Sequence, residues 1–292
     1  MIEKGKKTIL VVGATGRQGG AAARHLIHNG WKVRAMTRDG TKPNAVALRK
    51  LGVDIVEAHL EDRSSLESAM EATYGVFGVI TPYEKGVEEE AVQGMNLVDA
   101  ALNAGVEHFV YSSVGGAERN TGIPHFESKW TIERHLMASG VPHTVLRPVF
   151  FMENFCNPMA RAAILSGRLE STLDPSRSIQ MIAVDDIGGF ASMVFDDPER
   201  WKSKAIEIAG DEKTMPEVAE AFSRTIGIPV KYVRTSLESI KSADSKAMFE
   251  WFQKEGYRAD IGELRRMRPE TMDFQGWLNR SGWKRVKKRS AA

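Results

Sequence analysis

The chain has 292 residues, 42% of them hydrophobic and 27% charged, which excludes disordered, collagen-like and low-complexity classes. Its 40 Lys and Arg against 38 Asp and Glu leave a formal charge of +2, too balanced to point to a nucleic-acid surface. No apolar run approaches the ~18 residues of a membrane span, no signal-like stretch precedes the first strand, and Cys156 has no second cysteine to pair with. The expectation is a cytoplasmic protein with neither membrane nor nucleic acid as partner.

In chain order, short β-branched runs predict strands over residues 8–12, 31–37, 53–57, 76–80, 108–112 and 143–146. Helical spacing falls between them, over 19–29, 45–51, 66–73, 88–104 and 126–139. Gly30, Gly52, Gly105 and Gly140 follow helix ends as C-caps, and Ser64 with Glu67 reads as a capping box for the third helix. Such alternation predicts an α/β, doubly wound Rossmann fold with a mostly parallel sheet. Beyond Pro148 the rhythm changes. Helices are predicted over 153–165, 185–195 and 216–225, with strands over 204–209 and 229–234. A helical tail spans 237–279, anchored by Trp251, Phe252, Phe274 and Trp277. Thr214 to Glu217 looks like a capped start, and Asp185-Asp186 like an N-cap pair. The expected division is a dinucleotide-binding domain over 1–150, to which 184–209 returns, and a smaller α/β substrate or partner region over 151–292, with a cleft between them. The basic run from Lys284 to Arg289 reads as a solvated terminus.

The strongest motif is Gly13-Ala14-Thr15-Gly16-Arg17-Gln18-Gly19, placed after the first strand and opening the first helix. Gly13 permits the tight turn, Gly16 lets a pyrophosphate approach the backbone, and Gly19 lets helix and strand pack closely. The helix mouth then offers N–H donors and partial positive charge to phosphate. At the tip of the second strand Arg38, with Lys42 nearby, suits a 2′-phosphate, which favours NADP(H) over NAD(H). The rival is Asp39 acting as an NAD-selecting acid.

These residues, with Thr37-Arg38, Val110 to Ser113, His125 to Lys129, Arg147-Pro148 and Phe151 to Asn154, resemble the NmrA-like family of atypical short-chain dehydrogenase/reductases, among them its NADP(H)-binding redox sensors. The resemblance implies that the glycine loop and Arg38 hold the phosphates, His59 and Leu60 flank adenine, and Thr81, Pro82 and Tyr83 line ribose and nicotinamide. It also implies that Lys129 contacts the nicotinamide ribose while Phe151, Met152, Glu153 and Asn154 close over the nicotinamide. The chain departs from the family pattern at Ala58-His59, where Gly-Asp is usual, and at Val92, where a basic residue is common.

Short-chain reductases usually combine Ser with Tyr-x-x-x-Lys, the Tyr donating the proton. Here Ser113 and Lys129 stand in place, but His125 replaces the Tyr. One reading is an NADP(H)-responsive sensor that acts through a protein partner. The other is a reductase of a small aromatic, quinone or carbonyl compound, with His125 or a Lys129-held water as proton donor. A nucleotide-sugar isomerase needs the Tyr and is disfavoured. His25 and His28 lack further ligands at metal spacing, so no metal is expected. Cys156 reads as a small buried apolar residue, and Phe150, Phe151 and Phe155 as pocket wall or core. A monomer or homodimer is expected.

Overall fold

The computed structural model describes residues 3–284, so most of the basic run lies outside the described residues. It divides into two units: one of 1–148 and 184–207, the other of 149–183 and 208 onwards.

The first unit alternates strand and helix. Its order is β1 (Thr8–Val11), α1 (Arg17–His28), β2 (Lys32–Thr37), α2 (Pro43–Lys50), β3 (Asp54–Glu57), α3 (Arg63–Met70), β4 (Gly75–Gly78), α4 (Val87–Asn103), β5 (His108–Ser112), α5 (Pro124–Ser139) and β6 (His143–Pro148). Later α7 (Val184–Asp196), α8 (Pro198–Trp201) and β10 (Lys204–Ile208) return to it. The sheet order is β10-β6-β5-β4-β1-β2-β3, and the pairings from β3 through β6 are parallel. The chain runs outward in both directions from β1 and β4, and this switch in winding leaves a crevice at the strands' carboxyl ends.

Burial on both faces explains the near-continuous apolar strands. Leu10, Val76, Phe109 and Val145 pack with Leu66, Leu97, Ile132 and Leu136 from the helices on one side. On the other side α7 lies against α1 at close range: a Cβ on Gly188 would stand 2.5 Å from the Ala21 carbonyl carbon. The glycines expected to end helices do so, with φ from +67° to +86°.

The second unit contains β7 (Phe150–Phe151), α6 (Pro158–Leu165), β8 (Arg168–Ser171), β9 (Ser178–Ile182), β11 (Asp211–Thr214), α9 (Met215–Ile226), β12 (Lys231–Arg234), α10 (Ala243–Lys254), α11 (Ile261–Met267) and α12 (Phe274–Arg280). Its two small sheets run β11-β9-β7 and β12-β8. Phe155, Phe222, Phe274 and Trp277 interlock in its core through edge-to-face and stacked ring contacts.

Several local expectations are corrected. The helix expected over 153–165 is a 3₁₀ turn (Met152–Cys156) followed by α6. It breaks where the Asn157 side chain accepts from Ala160 N at 2.9 Å and Pro158 opens the new helix. The third helix is capped not by Ser64 but by Asp62, whose carboxylate accepts from Ser64 and Ser65 N–H. Asp185 and Asp186 lie inside the first turn of α7 rather than at its cap. Cys156 is half-buried, not buried. The helical tail is built of three short helices, α10 to α12. Among the described residues no helix is long and apolar enough to cross a membrane, and no group of His, Cys, Asp and Glu could hold a metal.

Candidate functional site

The glycine loop takes the geometry its residue types require. Gly13 has φ +67°, and a Cβ on Gly19 would fall 2.3 Å from Gly13 O and 2.8 Å from Ala14 N, so only glycine lets α1 start this close to the turn. Gly16 is the N-cap of α1, and no side chain caps that end, which leaves the first-turn N–H groups of Arg17, Gln18 and Gly19 to an outside acceptor. Ala14 is buried, Thr15 O accepts from Asn44 Nδ2 at 2.9 Å, and Arg17 is exposed. Gln18 points its side chain at the sheet, where Oε1 accepts from Ser112 Oγ at 2.7 Å.

The other predicted cofactor residues of this unit follow successive strand ends. Arg38 follows β2, and its guanidinium bonds Glu84 at 2.6 and 2.9 Å. Asp39, the rival acid, turns Oδ1 onto the N–H and hydroxyl of its own neighbour Thr41, which also lowers its pKa. Lys42 is exposed at the N-cap of α2. After β3, His59 is exposed and Leu60 packs partly onto the core while its carbonyl accepts from Asn96 Nδ2 at 3.1 Å. After β4, Thr81 and Tyr83 are exposed, Tyr83 to 90%, and Pro82 is half-buried. All lie at the carboxyl edge of the parallel sheet, with Ser113 following β5.

Lys129 sits on α5 with its Nζ buried against α4. It bonds Glu90 Oε1 at 2.8 Å and the Ile80 carbonyl at 3.0 Å. Glu90 is 1% exposed, and its second oxygen accepts from Ser128 Oγ. Two of the ammonium's three donors are thereby committed, leaving one for a ligand. Ser113 donates its single hydroxyl hydrogen to Glu133, which Arg147 grips from the other side with Nη2 at 2.7 Å. Its hydrogen is spent, so Ser113 can accept from a ligand but cannot donate to a substrate carbonyl. Between these carboxylates stands Tyr111, whose hydroxyl is buried without a hydrogen-bond partner; burial first, then the charges of Glu90 and Glu133, raise its pKa well above 10. His125 lies in the first turn of α5, half-buried, its ring edge-on to Phe126 at 4.8 Å.

Glu90 and Glu133 are the site residues that the sequence reading missed. Both were legible as members of buried stripes. Glu90 shares the face of Gln93, Gly94, Leu97 and Ala101 on α4, and Glu133 follows Lys129 by four on α5.

Phe151, Met152, Glu153 and Asn154 belong to the second unit. There Phe151 is half-buried in β7, Met152 is fully buried, and Glu153 Oε1 accepts from Trp277 Nε1 at 3.0 Å. Asn154 is exposed and accepts at its carbonyl from Asn157. Phe150 and Phe155 meet at 5.8 Å in a tilted pair, and Phe150 also meets Phe252; Phe155 is buried and Phe150 half-buried.

A glycine loop at a strand–helix junction, at the carboxyl edge of a parallel sheet covered by helices on both faces, defines a protein of the Rossmann type. The chain belongs to the NmrA-like family, whose sequence model matches residues 5–278. An NAD(P)H azoreductase of Xenophilus azovorans is 31% identical over 236 residues, covering 80% of this chain and 79% of that protein. The fold matches Citrobacter sp. triphenylmethane reductase in complex with NADP(H) at a TM-score of 0.82 and 22% identity, over 94% of this chain and 99% of the other. It also matches Nmra, a negative transcriptional regulator in complex with NAD, at a TM-score of 0.78 and 21% identity, over 94% of each chain.

Proposed function

We propose that this chain binds a nicotinamide dinucleotide at the carboxyl edge of the seven-stranded sheet, prefers the 2′-phosphorylated form, and acts as a dinucleotide-responsive regulator. Uncapped N–H groups at Arg17 to Gly19 suit a pyrophosphate, and the Arg38 fork suits an extra phosphate on the adenosine. The free donor of Lys129 suits a ribose hydroxyl. One observation carries the regulatory reading: the Ser113 hydrogen is bound to Glu133, and His125 stands where the reductase Tyr would be. The Ser-Tyr-Lys relay for protonating an alkoxide is therefore missing two of its three donors.

A second reading is favoured by the 31% identity to the azoreductase. When bound, the reduced dinucleotide supplies a hydride. An electron-poor azo, quinone or triarylmethane acceptor needs no strong acid beside it, and His125 or water would then supply the proton.

The test is to mix purified protein with NADPH and azo dyes, quinones and enones. Tight NADPH binding without loss of nicotinamide absorbance on any of them supports the regulator. Turnover that falls at least ~100-fold in Lys129→Ala, the range expected for losing a positioned charged group at the reacting centre, supports the reductase. Arg38→Ala that leaves NADPH affinity unchanged, with NADH bound equally well, removes the phosphate preference.

A further inference from the structure

The Arg38 guanidinium is filled by an acid of its own chain. Nη1 meets Glu84 Oε2 at 2.6 Å and Nη2 meets Oε1 at 2.9 Å, the two-pronged arrangement that guanidinium also offers to phosphate. Glu84 belongs to the turn between β4 and α4, closed by a bond from Gly86 N to Pro82 O at 2.8 Å. Its neighbour Lys85 is paired with Glu61, which also accepts from Gln93 on α4. The turn is thus tied down at two adjacent residues, and the same turn carries Thr81, Pro82 and Tyr83. Lys42 adds its charge to the Arg38 field felt by Glu84, so the carboxylate lies in the positive patch that a 2′-phosphate would seek.

A phosphate carrying up to two negative charges and a carboxylate cannot occupy one guanidinium fork together. The pair is more than half exposed on both sides, 55% and 57%, so it opens at little cost, but the displaced carboxylate stays tethered close to the incoming anion. NAD(H), with a neutral ribose hydroxyl at that place, has no need to break the pair.

We propose that Glu84 is a selectivity residue of the adenosine end: it competes with the 2′-phosphate for Arg38 and so holds the preference for NADP(H) over NAD(H) below the level Arg38 alone would set. This rests on the dinucleotide reading given above. A corollary is that the phosphorylated cofactor removes one of the two side-chain ties on the turn of Thr81 to Gly86, the tie from Lys85 to Glu61 remaining, whereas the unphosphorylated one leaves both in place.

The experiment is calorimetric titration of the full chain with NADP⁺ and with NAD⁺, for the wild type, Glu84→Gln, Arg38→Ala and the double variant. Glu84→Gln is expected to tighten NADP⁺ about fivefold and to change NAD⁺ by less than about twofold, the size expected for freeing an exposed guanidinium from its paired carboxylate. In the Arg38→Ala background the same substitution is expected to change NADP⁺ affinity by less than about threefold, because the two residues act through one contact. An unchanged NADP⁺ to NAD⁺ ratio in Glu84→Gln, weaker NADP⁺ binding, or an equal effect with and without Arg38 overturns the proposal and leaves dinucleotide binding standing. No heat with either nucleotide, in the wild type and in Glu84→Gln alike, overturns both.

Discussion

Inside the crossing of α4 and α5, Glu90 and Lys129 form an ion pair with the Glu90 side chain fully enclosed and that of Lys129 11% exposed. Two charges taken out of water are costly unless each keeps its partners, and here each does: Glu90 accepts from Lys129 and Ser128, and Lys129 also reaches the Ile80 carbonyl. Removing one member leaves the other buried and uncompensated. Glu90→Gln is expected to cost about 3–5 kcal/mol in urea unfolding, and adding Lys129→Met to that variant should return most of it. Equal losses with and without Lys129 would show that the pair is not the source. At this scale, legibility divided by chemistry. Arg38 stood out because a cation at a strand tip suits a phosphate, and Lys129 because it takes the Lys place of the Tyr-x-x-x-Lys pattern. Glu90 did not stand out beside Glu88 and Glu89, since composition does not say which face of a helix a charge occupies. Only the period shared with Leu97 and Ala101 does so.

Helices and strands were legible to the extent that their signals were local. The first unit's alternation of short apolar runs with 3.6-residue spacing came through nearly whole, because both faces of a parallel sheet must be apolar. The second unit did not. β8 reads Arg-Leu-Glu-Ser and pairs with β12, some sixty residues further on, and β11 pairs with β9, so a short, half-polar strand is defined only by a distant partner. Caps were mixed: Thr214 and Glu217 form the reciprocal box expected of them, while Asp62 outcompetes Ser64 by accepting two N–H groups at once. One element contact bears directly on the site. Gly94 on α4 lies under Ile132 on α5, and a Cβ there would fall 2.3 Å from Ile132 Cδ1. Gly94→Val is expected to destabilise by about 1–3 kcal/mol through overpacking. It should also weaken dinucleotide binding, because it pushes apart the helices that carry Glu90 and Lys129. Thermal unfolding and a NADPH titration measure the two effects. A stability loss without a change in affinity would uncouple this crossing from the site.

The molecule as a whole carries an acid sensitivity in His108, fully buried on β5. The Thr144 hydroxyl gives its one hydrogen to Trp201 O at 2.7 Å, so it must accept from His108 Nε2 at 2.9 Å, and Nδ1 is left bare and buried. Burial, then the positive charges of Lys202 and His143, pull the imidazole pKa from 6.5 to about 3. Below pH 6.5 the unfolded chain takes up a proton that the folded one refuses. Stability is therefore complete above that pH and drains away as the pH falls from 6.5 toward 3. His108→Gln should flatten the unfolding profile across that window, and an unchanged slope would assign the acid sensitivity elsewhere. The chain's path between its two units has a further consequence. The strand beside β6 and the helix that seats Gly188 on Ala21 are both encoded after a stretch of the second unit. During synthesis, the sheet and the small-residue face of α1 must stay incomplete on the ribosome until Glu207 has emerged. A fragment cut at Pro148 would lack both that strand and that helix, leaving one edge of β6 and the Ala21 face of α1 uncovered.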